Sequence, residues 1–155
     1  MKTTLIIFFI LASLLFLFFS TFVHSERALS SSSFLLEKPS PSDKINESNI
    51  QVFQDKIIIY IGNATIVSYT DTNSMDPTMD KEANGIEVKP SSPEEIHVGD
   101  IISFKKGNEI VSHRVIKIGK DEKGWYCETK GDNTVFSDGK VRFEQIVGVV
   151  VGIIY

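Results

Sequence analysis

The chain is short of most of the residues that would sort it quickly into a class. It has one cysteine, Cys127. A single thiol cannot close an intrachain disulfide or build a thiolate metal site, and no metal or cofactor is expected. Basic charge is also scarce. Setting Lys2 aside, 15 basic residues face 20 acidic ones. That balance leaves no nucleic-acid footprint and would not draw the protein to anionic lipid by charge alone. No internal repeat is visible, and no long amphipathic helix follows Val23.

What the chain does have begins with an apolar segment. Leu5 to Val23 is 19 residues without a charge. At about 1.5 Å per residue it nearly spans a hydrocarbon core of roughly 30 Å. A cleaved signal peptide competes with this reading, and Val23-His24-Ser25 would serve as its cleavage site. Its apolar region, however, is usually about 7–15 residues long. The expectation is therefore an uncleaved membrane anchor over residues 1–24. Lys2 and the terminal amine are positive, whereas Glu26 and Arg27 cancel on the other flank. Positive charge stays cytoplasmic, so the rest of the chain should lie on the extracytoplasmic side of the cell membrane.

Residues 25–50 read as a flexible linker. Ser30 to Ser33 is a serine run, and Pro39-Ser40-Pro41-Ser42 follows. Such composition buries little apolar surface. A folded domain is expected over 51–155, enough for a modest core, and it reads as mainly β. Lys56–Ile61 and Ala64–Thr70 are β-branched runs split by Gly62-Asn63, a strong hairpin signal. Lys106-Gly107-Asn108 splits Asp100–Lys105 from Glu109–Ile118. Asp121 to Gly124 makes a third turn into Trp125–Lys130. Ile86 to Lys89 suggests a short strand before the Pro90–Pro93 loop. Ile146–Tyr155 is an apolar run too short for a second helical span and is expected to be a buried strand. Short strands at regular turns suggest a compact barrel-like or sandwich fold.

Four places could carry chemistry. Ser74 lies in Thr72-Asn73-Ser74-Met75-Asp76-Pro77, where polar residues before a proline imply a turn that exposes a side chain. His113 sits in a strand beside Arg114. Asp132 lies in Gly131-Asp132-Asn133, and Asp138 precedes Gly139. Taken singly, each has a commoner structural explanation, such as a turn residue or a satisfied histidine. Together they supply a hydroxyl, an imidazole and two carboxylates. A serine hydroxyl needs a base to take its proton and an acid to orient that base.

The order of these boxes is more specific than any one of them. Ser74-Met75-x-Pro77, Gly99-Asp100-Ile101-Ile102, His113-Arg114-Val115-Ile116, and Lys130-Gly131-Asp132-Asn133 with Asp138 resemble the type I signal peptidases. The likeness is to the archaeal and endoplasmic-reticulum branch, in which a histidine replaces the bacterial lysine. It covers roughly Ile66 to the C-terminus. The resemblance implies a domain of twisted antiparallel sheets behind one N-terminal transmembrane helix. It also implies that Ser74 attacks the scissile carbonyl, His113 acts as base, and Asp138 orients the imidazole, with Asp132 a second required carboxylate. The Ser74 N–H and the Thr72 hydroxyl would form the oxyanion hole.

The implied activity is removal of signal peptides from exported preproteins, after small residues, by a membrane-anchored serine endopeptidase. The implied partners are preprotein signal peptides and membrane lipid, with translocation machinery a further candidate. Two features depart from the family pattern: the long stretch between the apolar segment and Ser74, and an insertion over 80–98. An extended substrate would add to a sheet edge, with Ile66–Thr70 and Val111–Ile116 as the candidate edges. The competing readings are a non-catalytic anchored β-domain that binds a partner, and a signal-peptidase-like protease with another substrate. Asn46-Glu47-Ser48 and Asn63-Ala64-Thr65 fit glycosylation acceptors.

Overall fold

The computed structural model describes residues 37–155. The apolar segment 5–23, and with it the anchor and its orientation, lies outside the described residues. Among the described residues no helix is long and apolar enough to cross a membrane. Lys38–Tyr155 forms one compact unit. It is mainly β and built from antiparallel sheets.

Among the described residues there are nine strands: β1 (Ile50–Val52), β2 (Ile57–Ile59), β3 (Ala64–Ser68), β4 (Asn84–Val88), β5 (Ile101–Lys106), β6 (Glu109–Asp121), β7 (Gly124–Lys130), β8 (Gly139–Val141) and β9 (Ile146–Ile154). β1 and β2 form a separate two-stranded ribbon, and the other seven make one sheet in the order β3-β4-β9-β5-β6-β7-β8. The hairpins β5–β6 and β6–β7 form where Lys106-Gly107-Asn108 and the turn before Gly124 predict them. Gly107 and Gly124 take the positive φ that these turns require, +64° and +97°.

The expected pairing of Lys56–Ile61 with Ala64–Thr70 does not form. β2 turns back on β1, whereas β3 pairs with β4. Asn63 does adopt a left-handed conformation, with φ of 56°, but there it redirects the chain from one sheet to the other. A local turn signal fixes a change of direction, and which strands pair is settled by the wider packing.

β9 lies in the interior of the sheet, between β4 and β5, which explains its unbroken apolar sequence. Ile101 and Ile102 are neighbours on β5, so they point to opposite faces, and each face has its own core. Ile102, Phe104, Val115, Cys127, Ile146 and Val149 lie in one. Ile101 and Val150 meet Met75, Met79 and Ala83 in the other. The second core ties the loop that bears Ser74 to the sheet.

The compact unit begins before Gln51. The stretch Pro39–Lys44, which composition assigns to the flexible linker, instead lies along the domain as a strap. Asp100 is fully buried. Its carboxylate accepts from the Ser42 N–H (2.8 Å), the Ser42 hydroxyl (2.7 Å) and the His97 N–H (2.9 Å), and it pairs with Lys44 at 3.1 Å. Burial pushes this carboxyl upward, but those donors outweigh it and hold it below the ordinary carboxylate range. Gly99, at φ +103°, lies so close to the Ser40 carbonyl that a side chain would collide with it. The strap is held by specific polar bonds, which composition does not register.

Candidate active site

Ser74 sits in the loop between β3 and β4. Met75 and Met79, 3% and 4% exposed, anchor that loop and leave the serine at the rim. His113 lies on β6, where Glu109–His113 pairs with β5 alone and β7 joins only from Arg114. The imidazole therefore stands at a locally open strand edge inside an otherwise interior strand. Val111–Ile116 is an edge over its first part only. β3, by contrast, is a terminal strand of the sheet.

The His113 Nε2 is 3.1 Å from the Ser74 Oγ, and its Nδ1 is 2.6 Å from the Asp138 Oδ2. Asp138 comes from the loop just before β8. Its carboxylate also accepts from the Thr129 hydroxyl (2.9 Å) and from the Lys106 ammonium (2.8 Å). Burial opposes its ionisation, but His113, Lys106 and Thr129 together bring its pKa down to about 2. An ionised carboxylate only accepts, so the His113 Nδ1 is the donor to it. In the neutral imidazole Nε2 is then bare and accepts the Ser74 hydroxyl proton. Thus the tautomer needed for general-base catalysis follows from the ionisation of Asp138.

Asp132 occupies a different place. Its two oxygens accept a fork from Arg114, with Nε at 2.8 Å and Nη2 at 2.7 Å. The Thr78 hydroxyl donates to Asp132 Oδ2 at 2.5 Å. Burial again pushes the carboxyl up, and Arg114 and Thr78 more than reverse it. The remaining Arg114 nitrogen bonds the Gly99 carbonyl (2.9 Å) and the Pro39 carbonyl (3.1 Å). Asp132 thereby joins the strap, the strand β6 and the loop after Ser74.

The next residue completes the brace. The Asn133 N–H donates to the Ser74 carbonyl at 2.9 Å, and its side-chain amide donates to the Asn73 carbonyl at 2.9 Å. Gly131 is required by space. A Cβ there would lie 2.5 Å from the Ser74 carbonyl oxygen and 3.0 Å from the His113 Nε2. The Lys130–Asn133 box thus combines a close approach, a charge clamp and two backbone clamps.

Thr72 stands beside Ser74. Its hydroxyl is 3.0 Å from the Ser74 Oγ and accepts from the Ser74 N–H at 3.4 Å. The two oxyanion donors expected from sequence are therefore adjacent, and because Ser74 gives its proton toward His113, Thr72 is the donor to the Ser74 Oγ and must rotate its proton to meet a ligand.

These groups open onto one cleft of about 1040 Å³. Val67–Thr70 borders it on one side and Glu109–His113 on the other, with Ser74, His113 and Asp138 in its wall. The structure brings together Ser74, His113, Asp138 and Thr72, and sets Asp132 behind them. Sequence reasoning gave no role to Arg114, Lys106, Thr129 or Thr78. Arg114 was marked only by its place after His113, and Thr78 by its place after Pro77. Scanned against models of protein families, curated proteins and solved structures, the chain matches none.

Proposed function

We propose that the chain is a membrane-anchored serine endopeptidase of the signal-peptidase type. It removes signal peptides from exported preproteins on the extracytoplasmic side of the membrane. The observation that supports this reading most is the continuous hydrogen-bonded run from Ser74 through His113 to an ionised Asp138, opening on a cleft. A turn serine and a structural histidine have no reason to share such a run.

The steps follow from the geometry. The Ser74 hydroxyl gives its proton to the His113 Nε2 as its oxygen adds to the scissile carbonyl. The carbonyl oxygen becomes an oxyanion facing the Ser74 N–H and the Thr72 hydroxyl. One such donor contributes about 10²–10³ in rate. Asp138 stabilises the imidazolium across the 2.6 Å bond. The imidazolium then protonates the leaving amine, and the acyl-serine remains. Water, deprotonated by His113, hydrolyses that ester and restores Ser74. The peptide lies extended along the cleft and pairs with the outer edge of β3 and the open stretch of β6, as β-augmentation requires.

Purified full-length protein in detergent or lipid, incubated with a preprotein, tests the reading. Cleavage is expected, with loss of several powers of ten in rate on Ser74→Ala. A Ser74→Ala protein that cleaves as well as the parent would remove Ser74 from the mechanism.

A further inference from the structure

The floor of this cleft is polar. Glu87 on β4, Ser103 on β5 and Ser112 on β6 project into it, and Gly148 of β9 lies between the first two in the sheet, directly opposite Ser103. The Ser103 hydroxyl donates to Glu87 at 2.5 Å and lies 2.6 Å from the Ser112 Oγ. Because Ser103 gives its proton to the carboxyl, Ser112 must be the donor to Ser103. The run of hydroxyls ends on Glu87, which is 6% exposed.

Space has been made for that carboxyl. A side chain on Gly148 would collide with it, and one on Gly85 would collide with the Tyr69 hydroxyl. Neither glycine has a positive φ, so space and not backbone conformation explains both. The Tyr69 hydroxyl and Asp80 line the same cleft; the phenol is turned toward the Glu87 carboxyl, and Asp80 Oδ1 is buried without a hydrogen-bond partner among the described residues. Burial holds Glu87 above the ordinary carboxylate range. Burial first, and then the nearby Glu87 charge, holds Tyr69 above the phenol range. Among the described residues no lysine or arginine forms an ion pair with Glu87 or Asp80. Lys106, also at the cleft, is engaged by Asp138.

Carboxyl oxygens buried at the cleft with no cation beside them call for a donor that carries positive charge. We propose that Glu87, supported by Tyr69 and Asp80, forms a subsite of the peptidase cleft that takes a lysine side chain of the extended substrate. This rests on the peptidase reading and departs from a requirement for small residues alone. A lysine has three donors and an apolar stem that would lie along the cleft wall. On binding, its ammonium would meet the Glu87 carboxylate and favour its ionised form.

The test is a set of preprotein-derived peptides in which each position before the cut carries lysine or its uncharged isostere norleucine. Cleavage by the full-length protein gives kcat/KM, and binding to Ser74→Ala protein gives Kd. At one position lysine should win by about 30-fold or more, mostly in KM and Kd. The preference should fall under about threefold in Glu87→Gln, a variant that keeps the Ser103 bond without the charge. A thermal melt checks that it folds, and Asp80→Asn serves as a second variant expected to weaken the same preference. Ser74-dependent cleavage with no lysine preference at any position would overturn the subsite and leave the peptidase reading standing. A preference undiminished in Glu87→Gln would overturn the assignment to Glu87. Peptides neither cleaved by the parent nor bound by Ser74→Ala would overturn both.

Discussion

Asp138 shows how much one carboxylate can decide. Its ionisation fixes the histidine tautomer, and that tautomer leaves the His113 Nε2 bare beside the Ser74 hydroxyl, as the proposed mechanism requires. Asp138→Asn presents an amide to Nδ1, and the imidazole loses its preferred orientation. The expected loss in kcat is up to about 10⁴-fold, with KM nearly unchanged, measured on the same preprotein. Gly131 makes a second residue-scale prediction. Gly131→Ala must displace either the Ser74 carbonyl or the His113 ring, and neither belongs to a flexible side-chain end. A shift of about 1 Å costs on the order of 10²-fold in rate, so the variant should fold, as judged by circular dichroism, and turn over slowly. At this scale the sequence was informative about which side chains meet. Ser74, His113 and Asp138 were recognisable by their order, and Asp138 was favoured over Asp132 as the histidine's partner. It said nothing of Gly131's purpose, since crowding by residues 57 and 18 positions away leaves no trace in a local motif.

At the scale of elements, the clamp between β6 and the Asp132 loop carries structural weight that a count of acids would miss. Arg114 and Asp132 are both buried, with side chains 7% and 2% exposed. Asp132→Ala strands the guanidinium without its partner, and breaking such a buried pair costs about 3–5 kcal/mol. Denaturant unfolding of the purified protein should show that loss near pH 7. The sign with pH follows from the lowered carboxyl. A folded pKa below the unfolded one adds stability that is complete above the unfolded value, near 3.9. It is lost as pH falls through the folded value. The gap between parent and Asp132→Ala should therefore narrow below about pH 4. Element-level legibility was uneven for a related reason. The β5–β6 and β6–β7 hairpins, with their tight glycine turns, could be read directly. The β1–β2 ribbon and the strap could not, because a three-residue strand and a serine–proline stretch acquire structure only from distant partners.

For the molecule as a whole, the site belongs to no single part. Ser74 comes from the loop before β4, His113 from the middle of β6 and Asp138 from the approach to β8. The strap, which composition suggests is a tether, supplies a carbonyl to the arginine behind them. The mainly β character could be read from turn spacing and β-branched runs. The strand order could not, because β9 inserts between β4 and β5 through contacts that no neighbouring sequence announces.

Contacts of such long range set a timetable for the newly made chain. Closing large loops is slow, and domains dominated by distant pairings fold over milliseconds to seconds. The strap's bonds join residues 58 and 75 apart in sequence, and β9, at the C-terminal end of the domain, must arrive before β4 and β5 have their shared neighbour. On the proposed mechanism, the serine emerges during synthesis long before the surroundings that would activate it, and the nascent chain should be chemically silent towards itself and its neighbours. In refolding from denaturant, hydrolytic activity should return with the slowest phase of tryptophan fluorescence recovery. Activity that appeared ahead of that phase would mean that the serine and histidine assemble without the rest of the sheet.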